Sequence, residues 1–500
     1  MKEGFDLNKY LEIQSKEIIS RVNGFEKLYL EFGGKIYDDF HAARVLPGYD
    51  PNTKIEILKK IKDQCEIIFC ISAKDIENSK MRGDLNMNYT SSALKSINDL
   101  KEFGLEVSAI IINRFAGEKK VLKFKQYLDN LGIRNFLQKE IEGYPADVDK
   151  IMSEEGYGQN PYVETKKPII IVTGVGPGSG KMAFCLSQMY FDNINNKKTG
   201  FAKFETFPVW NLPLDHPINM AYEAATADIG DKNMIDPFHL KETGEIAINY
   251  NRDIENFPIL KRILERVETE SYKSPTEMGV NKIKEGIISD DMVEESARQE
   301  IIRRFFRYKK EYQLGLVNKE TIDRITKIMQ SLDLNESDRL VVSKARECAL
   351  ESEKNPEKGN KGFYCSSALK LNGKIITGKN SSLLHSESAC ILNALKELAK
   401  IPDDIDLIPK QIITSIKNLK QKTKKNPNTS LNVSEILITL AISSSSNPSA
   451  QKCIEKIPLL YGTEMHTTHL PTKGDESGIR DLGINLTTDA EITGRIYLVD

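Results

Sequence analysis

The sequence predicts an α/β protein in which a helix-wrapped parallel sheet is followed by a helical subdomain and a smaller α/β domain. In the N-terminal part, short apolar strands alternate with amphipathic helices, a pattern typical of parallel sheets. Residues 256–355 carry apolar side chains at helical spacing among many charges, which predicts helices. Asn372-Gly373 joins two strand-like runs and predicts a β-hairpin.

The N-terminal elements follow one another in a regular order. The predicted strands, in chain order, are KLYLEFGG, CEIIFCIS, EVSAIIINRF and PIIIVTG. The predicted helices are TKIEILKKIKDQ, SSALKSINDLKEFG, VLKFKQYLDNLG and one that begins near Lys181. Residues 215–253 are polar and show little periodicity, so we expect them to be irregular and site-forming.

The chain is too long for one hydrophobic core, so we expect three domains. It has 500 residues, and single cores rarely grow beyond about 250–300 residues. We place a sheet domain at residues 1–255, a helical subdomain at 256–355 and an α/β domain at 356–500. The last domain holds the hairpin and three predicted helices, LLHSESACILNALKELAK, SEILITLAI and PSAQKCIEKIPLL.

Charge and composition exclude several classes of partner. With 70 basic and 72 acidic residues the net charge is −2, which provides no overall field for nucleic acid or an anionic membrane. No run approaches the ~20 apolar residues that span a bilayer, and the N-terminus lacks the apolar core of a signal peptide. We therefore expect a cytoplasmic protein whose seven scattered cysteines are reduced and buried.

The stretch TGVGPGSGKM follows an apolar strand and opens a helix, which is the context of a phosphate-binding loop. A standard loop has glycine where this chain has Val175, and a hydroxyl for magnesium where it has Met182. We predict an anion site without the standard magnesium–nucleotide arrangement. Its predicted ligand-binding residues are Gly176, Gly178, Ser179, Gly180 and Lys181. The alternative is a tight strand-to-helix turn whose glycines serve packing alone.

The segment after the glycine loop is dense in acids, imidazoles and amides, which suits general acid–base chemistry or a cation. The candidate catalytic residues are Glu205, His216 and Asp236, and the candidate cation ligands are Glu223 and Asp228. Arg252 is a candidate for gripping a second anionic group. Each has a structural alternative: His216, Asp228 and Asp236 stand where turns or helix caps are expected, and Arg252 has acidic neighbours to pair with.

The C-terminal part contains an incomplete zinc motif. His385-Ser386-Glu387 matches the His-x-Glu of zinc deaminases, but in NPSAQKC the two thiolate positions of Pro-Cys-x-x-Cys are not cysteines. His466 and His469 are three apart, which in a strand places them on opposite faces. We therefore do not expect zinc. A divalent cation such as magnesium and a nucleotide remain the candidate cofactors.

Long strings of the sequence resemble a bacterial family known as the domain of unknown function DUF1846. They are LYLEFGGKIYDDFHAARVLPGYD, SEEGYGQNPYVETKKPIIIVTGVGPGSGK and FAKFETFPVWNLPLDHPINMAYEAATADIGDKNMIDPFHL. The resemblance implies a Rossmann-like N-terminal domain with a phosphate-loop-like glycine loop, helical elements, and a C-terminal part of cytidine-deaminase-like topology. It also implies that the glycine loop of the family lacks the Ser or Thr after the lysine.

Taken together, the motifs predict an enzyme that binds a phosphorylated or nucleotide-like small molecule at the glycine loop. Transferase, ligase and hydrolase chemistry fit equally well. Two alternatives stay open: a nucleotide- or phosphate-responsive binding protein without catalysis, and an oligomeric scaffold whose glycine loop is structural. The expected partners are a small anionic ligand and further copies of the chain, with no membrane and no nucleic acid.

Overall fold

The computed structural model describes residues 3–82, 87–267, 272–355, 359–360, 362–423 and 429–490. The chain divides into two compact units, Met1–Glu300 and Ile301–Asp500. The boundaries predicted near residues 255 and 355 fall inside these units. The described residues contain no helix that is both long and apolar enough to cross a bilayer.

The first unit is built around a six-stranded sheet with helices on both faces. Its strands are β1 Lys27–Phe32, β2 Cys65–Ser72, β3 Met81–Arg82, β4 Met87–Asn88, β5 Val107–Phe115, β6 Asn135–Lys139, β7 Ile169–Gly174, β8 Thr199–Phe204, β9 Asn233–Ile235 and β10 Ile248–Tyr250. Its helices are α1 Leu7–Val22, α2 Phe40–Val45, α3 Thr53–Ile61, α4 Ala73–Glu77, α5 Tyr89–Glu102, α6 Lys119–Asn130, α7 Val148–Ile151, α8 Lys181–Ile194, α9 Pro217–Ala225, α10 Pro237–Thr243, α11 Asn251–Arg266 and α12 Ile283–Gly286. Helix α13, Asp290–Gln313, contains the boundary between the units.

The large sheet has the order β6-β5-β2-β7-β1-β8, and all its strand pairs are parallel. One face packs against α4, α5 and α6 through residues such as Phe69 and Ile110. The other face packs against α8 and α11 through residues such as Ile170 and Val172. The predicted parallel sheet is therefore confirmed, and all its strands end at one common edge.

Residues 215–253 are more regular than the sequence predicts. They form α9, α10 and the strands β9 and β10, which pair as a small antiparallel sheet. His216 and Asp236 accept backbone N–H bonds at the starts of α9 and α10, and a proline follows each of them. A side-chain acceptor followed by proline is a helix start, so these short helices begin where the sequence carries that signal.

The second unit combines helices with a four-stranded sheet of order β12-β11-β13-β14. Its strands are β11 Ser366–Leu371, β12 Lys374–Lys379, β13 Glu464–Thr467 and β14 Asn485–Thr488. Its helices are α14 Lys319–Ser331, α15 Leu340–Glu353, α16 Ser386–Ala399, α17 Lys410–Thr423, α18 Val433–Ser444, α19 Pro448–Ile454 and α20 Lys473–Asp481. The predicted hairpin is β11–β12, where Asn372 and Gly373 both take positive φ, as a two-residue hairpin turn requires.

The cysteines behave as the sequence predicts. Each of the seven is a buried, unpaired thiol. Burial raises the pKa of the Cys65 thiol to about 11 and that of Cys70 to about 12. These two thiols are therefore protonated at neutral pH and serve as apolar packing groups.

Candidate functional site

The glycine loop joins the end of β7 to the start of α8 at the carboxyl edge of the sheet. Gly178 and Gly180 have φ values of +74° and +84°, a conformation that favours glycine. A β-carbon at Gly180 would lie 2.7 Å from the Asn113 side chain. The Asn113 amide, near the end of β5, donates to the Ser179 carbonyl over 2.8 Å and so fixes the loop.

Several polar groups of this loop are left without a protein partner. Among the described residues, none accepts from the backbone amides of Gly176, Gly178, Ser179 or Gly180. The Ser179 hydroxyl is buried and has no hydrogen-bond partner in that same part of the chain. Unpaired amides at the start of a 14-residue helix carry the positive end of the helix dipole, which attracts anions.

Lys181, the first residue of α8, lies beside a row of charged side chains at the sheet edge. This charged row consists of Glu31, Lys203, Asp253 and Glu205. Its Nζ lies 3.7 Å from Oε1 of Glu31, and only 13% of its side chain is exposed. Glu31 lies on β1, directly beside Lys203 of β8 in the parallel register. Oε2 of Glu31 is buried and has no hydrogen-bond partner among the described residues. The ammonium of Lys181 is thus held at the sheet edge by a carboxylate.

Lys203 is the centre of the row. Its Nζ lies 2.6 Å from both carboxylate oxygens of Asp253 and 3.2 Å from the Tyr250 hydroxyl. Burial lowers the pKa of Lys203, but Asp253 and Glu31 outweigh that effect and hold the pKa above its ordinary value. The lysine is therefore charged, and it balances acids that are themselves buried.

Glu205 follows β8 at the same edge and has a strongly shifted pKa. Burial raises the pKa of Glu205 to about 7, with further contributions from Asp253 and Glu31, while Lys203 and the Tyr250 hydroxyl act in the opposite direction. That hydroxyl donates to Oε1 over 3.0 Å. A carboxyl with a pKa near neutrality can both accept and donate a proton in solution at pH 7.

A narrow cleft of about 50 Å³ opens beside Glu205. Its lining includes Trp210, Ile248 and Thr276 as well as the charged residues Lys203, Glu205 and Asp253. On the other side, Glu205 packs so closely against Gly33 that a β-carbon there would lie 2.4 Å from its Cγ. Gly33 therefore makes room for the carboxyl at the end of β1.

His216 lies outside this row and has a structural role. Its Nδ1 accepts the Ile218 N–H over 3.2 Å at the start of α9. Because Nδ1 accepts, the neutral ring carries its proton on Nε2, which lies 3.3 Å from Oδ1 of Asp290. His216 therefore caps α9 and donates to Asp290, and neither ring nitrogen is left to act as a base.

Asp236 is also fully used by its neighbours. Oδ1 accepts from the N–H groups of Phe238 and His239, and Oδ2 accepts from the backbone and hydroxyl of Thr276. The side chain is completely buried. These bonds explain Asp236 as the N-cap of α10.

The remaining predicted residues are dispersed. Arg252 forms a two-pronged ion pair with Asp231, with nitrogen–oxygen distances of 2.6 and 2.7 Å. Glu223 accepts the Asn233 N–H over 3.2 Å, and Asp228 is exposed. Among the described residues, neither Glu223 nor Asp228 belongs to a group whose ligand atoms lie close enough to share an ion.

The structure therefore brings together the glycine loop, Lys181 and Glu205, and adds four residues that the sequence analysis missed. They are Glu31, Lys203, Tyr250 and Asp253. A signal for two of them was available, because Glu31 and Lys203 interrupt the apolar runs LYLEF and FAKF. A charge inside a strand of a two-sided sheet is buried and needs a partner.

Fold and site together define an α/β protein with a glycine loop at the carboxyl edge of a parallel sheet. The chain belongs to the family described as Domain of unknown function DUF1846, whose N-terminal model matches residues 3–333 and whose C-terminal model matches residues 337–497. The family membership expected from the sequence is confirmed.

Similar full-length proteins occur in clostridia. A UPF0371 protein of Clostridium botulinum (strain Eklund 17B / Type B) is 50% identical over 493 residues, which is 98% of each chain. A UPF0371 protein of Clostridium tetani (strain Massachusetts / E88) is 50% identical over 494 residues, again 98% of each chain. The similarity thus extends over both units.

Proposed function

We propose that the carboxyl edge of the large sheet binds the phosphate group of a small molecule. The amides of Gly176, Gly178, Ser179 and Gly180 and the ammonium of Lys181 hold the anion. The observation that carries this proposal is the set of unpartnered loop amides and the unpartnered, buried Ser179 hydroxyl. Buried polar groups are normally satisfied, so the unpartnered hydroxyl of the buried Ser179, next to loop amides that face outward, supports a bound ligand.

The second part of the proposal is that Glu205 transfers a proton to or from the bound molecule. A pKa near 7 suits proton transfer in either direction. Glu31 and Lys203 lie between Lys181 and Glu205, so the proposed anion site and the carboxyl belong to one group of interacting charges. Lys203 and Asp253 are positioning residues, because they change the pKa of Glu205 and do not themselves transfer the proton. The phosphorylated or nucleotide-like compound is then the substrate of an enzyme.

One observation favours the alternative of a structural loop. A β-carbon at Gly174 would lie 2.5 Å from the Cys70 carbonyl oxygen, and one at Gly180 would meet Asn113. Close packing by itself therefore explains two of the glycines. At Gly178 an added β-carbon has nothing within 4 Å, so the positive φ of the turn, and not packing, accounts for that glycine.

For the second unit we propose the cytidine-deaminase-like topology that the family resemblance implies. The hairpin β11–β12, the helix α16 that begins at His385-Ser386-Glu387, and the parallel pair β13–β14 around α20 support it. The topology concerns the fold alone, because the two cysteines of the zinc motif are missing.

Calorimetric titration of the full chain with inorganic phosphate and with ATP, each with and without magnesium, tests the anion site. We expect saturable binding that Lys181→Met weakens by about tenfold or more, because a charge-assisted bond is lost. Gly178→Ala should weaken it as well, since the left-handed backbone of the loop is strained.

Gly104→Ala is the matched control. Gly104 has φ +78° and, like Gly178, open space around an added β-carbon, but it follows α5. Both variants carry the same backbone strain, and only Gly178→Ala should lose phosphate affinity. If the wild-type chain binds neither phosphate nor ATP, the loop is structural. If it binds but converts no nucleotide or sugar phosphate, the binding-protein alternative holds.

A further inference from the structure

We propose that the second unit holds a structural divalent metal ion between His385, Glu387 and Asp475. One ligand atom from each of these residues lies within 4.8 Å of the other two. Metal–nitrogen and metal–oxygen bonds of about 2.0–2.2 Å place tetrahedral ligand atoms about 3.4 Å apart. Each side chain therefore has to move by less than about 1 Å to coordinate one ion.

The starts of two helices bring these ligands together. His385 directly precedes α16, and Glu387 lies in its first turn. Asp475 lies in the first turn of α20, where Thr472 is the N-cap. His385 Nδ1 and Asp475 Oδ2 lie 2.7 Å apart, and the ion takes the place of the proton that they share.

Charge is the second argument for an ion. Glu387 and Asp475 are both completely buried. The carboxylate of Glu387 accepts hydrogen bonds from the hydroxyls of Ser386 and Thr467, and its Oε1 lies 3.3 Å from Nε2 of His469. In the described part of the chain, no lysine or arginine pairs with either acid. Among the described residues, the only cationic partners available to these acids are imidazole rings, His385 for Asp475 and His469 for Glu387. A divalent ion neutralises both buried carboxylates.

Neighbouring groups already orient the ligands. The Thr472 hydroxyl donates to Asp475 over 2.7 Å, and the Val433 N–H donates to its other oxygen over 2.9 Å. The ligand set contains imidazole and carboxylate only, which suits zinc, cobalt and manganese better than soft metals. All three ligands are at most 1% exposed, so the ion is shielded from bulk solvent and fastens α16 to α20. A water molecule completes its tetrahedral coordination.

The competing cluster in the first unit does not fit a metal. His216, Asp290 and Glu294 also lie close together. The Ile218 N–H, however, occupies Nδ1 of His216, so Nε2 carries the proton and offers no lone pair to an ion.

Metal content of the full chain, prepared without a histidine tag, tests the proposal. We expect one ion per chain after loading the EDTA-treated protein with Zn²⁺, together with a rise in the thermal unfolding temperature. Loading with Co²⁺ should give the intense visible bands of a tetrahedral site. The isosteric variants Glu387→Gln and Asp475→Asn should each weaken Zn²⁺ binding by about a hundredfold or more.

His466→Gln is the control, because His466 is an equally buried histidine of the same unit that lies beside Asp489 instead. It should keep the stoichiometric ion. Absence of stoichiometric metal from the loaded wild-type chain, weak octahedral cobalt bands, or undiminished binding in both acid variants would each overturn the proposal. The cobalt spectrum decides the matter even if a variant fails to fold.

Discussion

Replacing Glu205 by glutamine keeps the size of the side chain and an acceptor for the Tyr250 hydroxyl, but removes the proton that titrates. In the folded chain burial raises the pKa of Glu205 to about 7, against an ordinary value of 4.5. That difference corresponds to about 3 kcal/mol between the folded and unfolded states, at about 1.36 kcal/mol per pKa unit.

The sign of the effect follows from which state ionises first. Below pH 4.5 the carboxyl is protonated in both states and contributes nothing to the pH dependence. Between pH 4.5 and 7 the unfolded chain ionises first, so the free energy of unfolding falls as the pH rises. Above pH 7 the full penalty of about 3 kcal/mol is present. Glu205→Gln lacks this penalty, so its advantage over wild type should grow by that amount between pH 4.5 and 8.

Urea unfolding followed by tryptophan fluorescence measures the free energy of unfolding of the first unit in wild type and variant. Trp210 is the only tryptophan and lines the same cleft as Glu205. Glu142→Gln is the control, because the Lys150 hydrogen bond lowers the pKa of the exposed Glu142 and gives a weak dependence of opposite sign. If the free energies of unfolding of wild type and Glu205→Gln change in parallel between pH 4.5 and 8, the raised pKa of Glu205 is refuted.

Two further predictions separate structural residues from the site. Asp236→Ala should destabilise the first unit by about 2 kcal/mol or more, because two N–H groups of α10 and Thr276 lose their acceptor, while calorimetric phosphate affinity stays unchanged. Arg252→Ala should cost about 2 kcal/mol in urea unfolding, because Asp231 is left buried without its guanidinium; a loss of phosphate affinity instead would place Arg252 in the site.

The central strands were predictable because a sheet covered on both faces requires continuous apolar runs. β1, β2, β5 and β7 all carry such runs. The two edge strands, β6 and β8, were not predicted. β6 is short and polar, and Gly200 and Lys203 break the apolar pattern of β8. Short helices of seven and nine residues, α10 and α9, are likewise too brief for periodicity to reveal them.

The site was only partly predictable for a different physical reason. The glycine loop is local in sequence, so its strand, turn and helix could be recognised together. Glu31 and Lys203 meet only because β1 and β8 pair across the sheet, which no local pattern specifies. His216 and Asp236 have side chains that suit both capping and catalysis, and only their hydrogen-bond partners distinguish the two roles.

A crystal of the full chain grown with inorganic phosphate tests the central claim most directly. The account predicts a phosphate within hydrogen-bond distance of the amides of Gly178, Ser179 and Gly180, with the ammonium of Lys181 turned from Glu31 toward it. A glycine loop that leaves those amides without an anion at saturating phosphate, with Lys181 still beside Glu31, would contradict the account.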